Sequence, residues 1–186
     1  MKKWDLFLPI FLFFFACNQK NPNFVFRNGD EQTILSLIKE NDSIYSLKAE
    51  IFCGDNLISS DTRQLNYPVY QFDCEDINGD GIPEIATGVI KTTRYDPVCR
   101  KRLFIFKLYE GRYIRPLWLG SRVSYPLVDF RILDHDGEKR FRTIEQNGEN
   151  SFVVAEYRYG SFGLQWIRYI KENIDKKTAE KILKST

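Results

Sequence analysis

Residues 76–84 read DINGDGIPE, with side-chain oxygens at Asp76, Asn78 and Asp80 and a glycine directly after them. Alternate spacing lets a tightly curled loop aim all three at one point, and Gly81 permits the bend. The backbone carbonyl of Ile82 and the carboxylate of Glu84 would extend the set. With water added it approaches the roughly six to eight oxygens that calcium takes. The same spacing also suits a plain acidic turn, because Asp and Asn side chains cap their own backbone. An EF-hand is excluded. Its loop needs a glutamate at the twelfth place, which is Thr87, and helices on both sides, where Tyr67–Cys74 and Ile85–Thr92 read as strands.

Other chemistry is sparse. No G-x-S-x-G, H-E-x-x-H or P-loop occurs, and the single histidine, His135, falls in a predicted turn. Glu145, Glu149 and Glu156 are the carboxylates from which a glycosidase pair would be drawn, although glutamates in strands and turns are usually solvated. Arg94, Tyr95, Arg100, Lys101 and Arg102 cluster around a predicted hairpin loop. Arginine with aromatic neighbours is the composition of partner-binding surfaces. A formal charge of +2 leaves no electrostatic basis for a nucleic-acid partner.

The elements that must position these groups are mostly strands. Aromatic residues make up 15% of the chain, a composition that favours pleated, half-buried surfaces. From about residue 44 to 170, short alternating or apolar runs are separated by turn residues, among them SLKAEIFC, YPVYQFDC, EIATGVIKTT, RLFIFKLY and SFVVAEYRY. YEGR and QNGEN read as hairpin turns, the second through Asn147-Gly148. RNGDEQTILSLIKEND reads as a helix capped by Asp30, with Ile34, Leu37 and Ile38 in one stripe. DKKTAEKILKST reads as a second short helix, capped by Asp175, with Ile182 and Leu183 inward. Cys53, Cys74 and Cys99 allow at most one internal disulfide, and three buried thiols are as good a reading.

A weak internal repeat runs through the β region. Phe72, Asp76 and Asp80-Gly81 are echoed by Phe130, Asp134 and Asp136-Gly137, and Phe104 and Trp118 by Phe152 and Trp166 at the same separation. The expected fold is therefore mainly β, with antiparallel meanders forming two blade-like, partial β-propeller-like units. They span approximately residues 67–120 and 127–170 of one β-rich domain (30–186), with short N- and C-terminal helices.

The first sixteen residues have a Lys2-Lys3 start, an apolar run from Leu6 to Phe15 and a small Ala16, the layout of a secretory signal peptide. The run is too short for a stable membrane span. Phe14-Phe15-Ala16-Cys17 resembles the lipobox of bacterial lipoproteins, which implies acylation of Cys17 and a tether over residues 17–29. The expected location is the cell envelope, extracytoplasmic and on a lipid membrane.

Phe72, Asp76, Asn78, Asp80, Gly81, Glu84, Ile85 and Gly88 match F-x-x-x-D-x-N-x-D-G-x-x-D-[LI]-x-x-G, with Glu84 one methylene longer than the usual Asp. This resembles the calcium-loop part of FG-GAP/VCBS repeats, which form propeller blades. The resemblance implies a calcium ion clamping a β-hairpin, with Asp76, Asn78, Asp80 and Glu84 as ligands. The second acidic turn has lost the middle spacing and reads as a turn without metal. The functional expectation is a binding or scaffolding role toward an unidentified protein or polysaccharide. The alternative is a small envelope hydrolase acting on glycans through paired carboxylates.

Overall fold

The alternation that marks strands in the sequence carries further toward the N-terminus than the sequence reading places it. The structure, a computed structural model, describes residues 22–94, 96–120 and 123–185. Among them, β1 (Asn23–Asn28), β2 (Glu31–Lys39), β3 (Tyr45–Cys53) and β4 (Asn56–Leu65) form a first antiparallel sheet. A second contains β5 (Val69–Glu75), β6 (Glu84–Thr93), β7 (Asp96–Tyr109) and β8 (Tyr113–Leu119). A third contains β9 (Leu127–His135), β10 (Glu138–Gly148), β11 (Ser151–Gly160) and β12 (Gly163–Ile174), followed by the helix α1 (Lys176–Lys184). Each sheet is a meander of sequential hairpins.

Three sheets therefore replace the two expected units. The repeat-like segments fall on the second and third. The first is built from the segment read as tether and helix, together with β3 and the polar β4. The expected helix at residues 30–42 is a strand, β2. Its Leu35 and Leu37 alternate inward opposite Ala49 and Leu47 of β3. A helix of about thirteen residues with β-branched Thr33, Ile34 and Ile38 is marginal alone, whereas β1 and β3 satisfy the backbone of β2 on both sides. Asp30 lies in the tight turn beside Gly29 (φ 59°) instead of capping a helix.

The layers stack in chain order. Leu35, Leu47 and Leu65 of the first sheet share a core with Ile85, Val89, Phe104 and Phe106 of the second. The other face of the second sheet presents Ala86, Leu103 and Ile105 to Phe130, Phe141 and Tyr157 of the third. Ile144 and Val154 on the far side of the third sheet meet Ala179 and Leu183 of α1. The run Leu103–Phe106 is apolar without a break because successive side chains point to opposite faces, and both faces are covered. Each such side chain contributes about 1.5–3 kcal/mol by leaving water.

The end of α1 matches the sequence reading. Asp175 accepts from Thr178 N–H at 3.0 Å, and Lys181 and Lys184 stand in the last turn. The QNGEN segment does hold the β10–β11 hairpin turn, but its tip falls after the Asn147-Gly148 pair rather than on it. β10 continues through Gly148 with a bulge after Gln146, and Glu149-Asn150 form the turn.

Gly88 of β6 leaves room for the Tyr70 ring, since a Cβ there would lie 2.5 Å from it. Gly88→Ala is expected to lower stability by about 1–3 kcal/mol in urea unfolding, through overpacking of strand and ring. Adding Tyr70→Leu should restore part of that loss. An unchanged midpoint for Gly88→Ala would show that the ring moves aside at no cost.

Candidate functional site

The Asp76–Glu84 loop joins β5 to β6 and is pinned from both sides. Ile77 is buried in the core between the second and third sheets, and Ile82 packs on the core between the first and second. Gly79 (φ 78°) and Gly81 (φ 82°) take the left-handed turns between these anchors. The Asp76 carboxylate accepts from the N–H groups of Gly79 (2.8 Å), Asp80 (3.2 Å) and Gly81 (2.8 Å). Asp80 N–H donates to Asn78 Oδ1, and Ile82 N–H to Asp80 Oδ1, both at 2.8 Å.

Glu84 closes the loop from the first position of β6. Its carboxylate is 3% exposed and accepts from Ile77 N–H at 3.1 Å and Asn78 Nδ2 at 2.8 Å. Among the described residues it forms no ion pair. Burial raises its pKa to about 7, and the negative charges of Asp80 and Asp76 push in the same direction against the opposing Ile77 bond. The Asn78 amide donates to Asp80 Oδ2 (3.0 Å) as well as to Glu84, so partial positive charge sits between the two carboxylates. The carboxylates of Asp80 and Glu84 suit a hard cation in chemistry. Asn78 would join them through Oδ1 once its amide turned over, since its Nδ2 faces both carboxylates here. Among the described residues no group of three or more His, Cys, Asp or Glu forms a ready metal cluster. Asp76 is instead occupied with the backbone.

The β9–β10 turn lies across from this loop. Asp136 (φ 54°) and Gly137 (φ 84°) form it, and Asp134 accepts from Gly137 N–H at 2.9 Å. That bond, with Lys139 second, holds the Asp134 carboxyl below its usual range. Lys139 bridges Asp134 (3.3 Å) and Glu75 (3.1 Å), so a lysine supplies the counter-charge here. Between loop and turn lies an open cavity of about 530 Å³, lined by Asp76, Asn78, Lys139 and Tyr159 among others.

The three glutamates read as glycosidase candidates are not brought together. In the β10–β11 register Glu145 shares a face with Thr143 and Tyr157, toward the second sheet, whereas Glu156 opposes Arg142 on the α1 side. Glu145 is fully buried. It accepts from Thr143 Oγ1 (2.7 Å), the Tyr157 hydroxyl (2.8 Å) and Tyr125 N–H (2.7 Å). Burial raises its pKa, and those three bonds offset part of the rise. It ties Tyr125, just before β9, to β10 of the third sheet. Glu156 is held by arginines, and Glu149 stands in the exposed turn. His135 is half-exposed, with Nδ1 3.1 Å from the carboxylate of exposed Asp136.

The basic residues divide. Arg100, Lys101 and Arg102 lie in β7, not in a hairpin loop, and their side chains are engaged. Arg102 is 6% exposed, donating to the carbonyls of Lys91, Asp96 and Val98 and pairing with Asp96 at 3.0 Å. Arg100 stands 3.3 Å from Asp96, and Lys101 donates to the Val128 carbonyl at 2.9 Å. Arg100 and Arg102 brace the β6–β7 hairpin, and Lys101 ties β7 to β9 of the third sheet. Arg94 lines a groove instead, with Arg63 and Tyr67, which the sequence reading missed. The strand β4 that carries Arg63 is a sheet edge with few apolar residues, so it shows little hydrophobic alternation. Cys53 and Cys99 are exposed free thiols and Cys74 a buried one. Tyr95, Cys17 and the leader lie outside the described residues, among which no helix is long and apolar enough to cross a membrane.

Comparisons with protein-family models, with curated proteins and with solved structures found no match for this chain.

Proposed function

We propose that this chain is an extracytoplasmic protein of a bacterial cell envelope, held on the membrane through acylated Cys17, with a binding or scaffolding role. In this reading the Asp76–Glu84 loop holds a structural calcium ion. The observation that carries the calcium reading is Glu84, a buried carboxylate beside Asp76 and Asp80 with no cation paired to it among the described residues. A buried carboxylate ordinarily takes a cation or a proton. Asn78, Asp80 and Glu84 would hold the ion, with Asp76 shaping the loop and the Ile82 carbonyl available beside it. Its chemistry there is charge neutralisation, which clamps β5 to β6. The resemblance of the loop to FG-GAP/VCBS repeats supports the same reading, as does the blade-like stacking of the meanders. The lipid anchor is supported by the residue pattern of the leader.

Calorimetric titration of the full chain, in micelles of an uncharged detergent, tests the ion. One saturable calcium site is expected, lost in the Asp76→Ala, Asp80→Ala double variant. No heat at millimolar calcium would reduce the loop to an acidic turn. Intact-mass measurement on protein from membranes tests the anchor, with the expected acyl mass absent in Cys17→Ser.

A further inference from the structure

We infer that the groove between the first and second sheets binds an acidic saccharide, a sugar unit carrying a carboxylate. The groove opens where the chain leaves β4, crosses at residues 66–68 and enters β5, and the β6–β7 hairpin forms its opposite wall. Its volume is about 840 Å³, within the roughly 300–1,000 Å³ of small-ligand sites. Lys91 is seven residues along β6 from Glu84, about 23 Å at 3.3 Å per residue. The site is therefore independent of the acidic loop.

Three cationic residues line it, Arg63, Lys91 and Arg94. The Lys91 ammonium stands 4.3 Å from the centroid of Tyr67, and the Arg63 guanidinium 5.5 Å from that of Phe106. Arg63 is also near enough to Tyr67 for its charge to draw the phenol pKa down, against the larger upward push of burial. Neither Arg63 nor Lys91 pairs with a carboxylate among the described residues. Asp61, two residues before Arg63, is occupied by Ile114 N–H (2.7 Å) and Arg115 (3.7 Å). Arg63 and Lys91, both on aromatic faces and neither with a carboxylate partner, attract an entering anion.

The rest of the lining says what kind of anion. Gln64, Asn66, Thr92 and Thr93 add neutral donors and acceptors matched to sugar hydroxyls. A bare phosphate leaves most of the volume unfilled. Lys91 covers one face of the Tyr67 ring and Phe104 packs against that ring edge-on at 5.7 Å, so Tyr67 is a poor platform for stacking a nucleobase. An acid on a hydroxylated body uses both kinds of lining.

The test is calorimetric titration of the full chain in uncharged micelles with trigalacturonate, and with neutral galactotriose as control. Saturable binding of the uronate is expected, weakened by salt, with the neutral sugar at least about tenfold weaker. Arg63→Gln, Lys91→Gln should lose about tenfold per cation. Lys91→Arg should keep binding, and an unchanged melting temperature separates lost charge from lost fold. Binding that persists in Asp76→Ala, Asp80→Ala places it apart from the calcium loop. Equal affinity in the double glutamine variant, or binding only of inorganic phosphate or of anionic phospholipid vesicles, would overturn the assignment.

Discussion

Calcium-free protein is expected to lose stability as the pH rises from about 4.5 to about 7, the reverse of the usual acid-unfolding slope. In the folded chain Glu84 keeps its proton until about 7, against an ordinary value of 4.5. The unfolded chain has by then released it, so the folded state binds more protons across this window. The stability this confers is fully present below 4.5 and gone above 7. At about 1.4 kcal/mol per pKa unit, and discounted for the solvated outer carboxylates of the loop, the fall is about 2 kcal/mol. Calcium binds the ionised form, so millimolar calcium should abolish or invert the slope. Glu84→Gln should reduce the fall and leave the part that buried Glu145 contributes, whose pKa burial also raises. It should lose about 1 kcal/mol at low pH, because one amide oxygen replaces two acceptors for Ile77 and Asn78. Urea midpoints measured across the window with calcium and with chelator decide this. A wild-type profile with no fall would mean that Glu84 ionises without cost, and the calcium reading would lose its main support.

The second large effect is expected at Glu156, the charge centre between the third sheet and α1. Its carboxylate is 2% exposed. Oε1 accepts from Arg142 (3.1 and 3.3 Å) and Oε2 from Arg168 (2.9 Å), with Arg140 at 3.9 Å. Burial alone would raise its pKa, but the bonds from Arg168 and Arg142 together outweigh burial and hold it below the ordinary value. Arg142 also donates to the carbonyls of Ile182 (3.1 Å) and Ser185 (2.6 Å), fastening the C-terminal end of α1, where a positive charge meets the negative end of the helix dipole. Glu156→Ala leaves Arg142 half-buried without a counter-charge, while Arg140 keeps Glu138 at 2.7 Å, and should cost about 3–5 kcal/mol. Amide exchange of α1 should rise before the sheets open. A cost below about 1 kcal/mol would mark the cluster as an ordinary solvated ion pair.

Glu156 also shows where sequence reasoning stops. Glutamate on a strand is legible as a carboxylate, yet its three arginines come from positions 140, 142 and 168, and register alone brings them together. The same holds for Glu145, whose partners Tyr125 and Tyr157 come from a crossover and a neighbouring strand. The basic run Arg100–Arg102 likewise looks like a loop until pairing with β6 draws it into β7. Local chemistry was read well. The glycine-bearing acidic loop, the Asp175 cap with its amphipathic stripe, the Leu103–Phe106 run and the mainly antiparallel β character are all settled within a few residues by turn chemistry, capping and period-two alternation.

The first sheet separates the two levels most clearly. Residues 31–39 carry a helical stripe at Ile34, Leu37 and Ile38 and a strand alternation at Leu35 and Leu37, and nothing local chooses between them. Neighbouring strands choose, because β1 and β3 supply hydrogen bonds along the whole of β2 and the second sheet supplies the apolar cover. What the sequence alone determined about this protein is its strand-forming texture, its acidic loop and its final helix. The number of sheets, the opposite faces of Glu145 and Glu156 and the groove between β4 and β6 were decided by tertiary structure. Those features depend on partners distant in the chain, whose contacts no local pattern records.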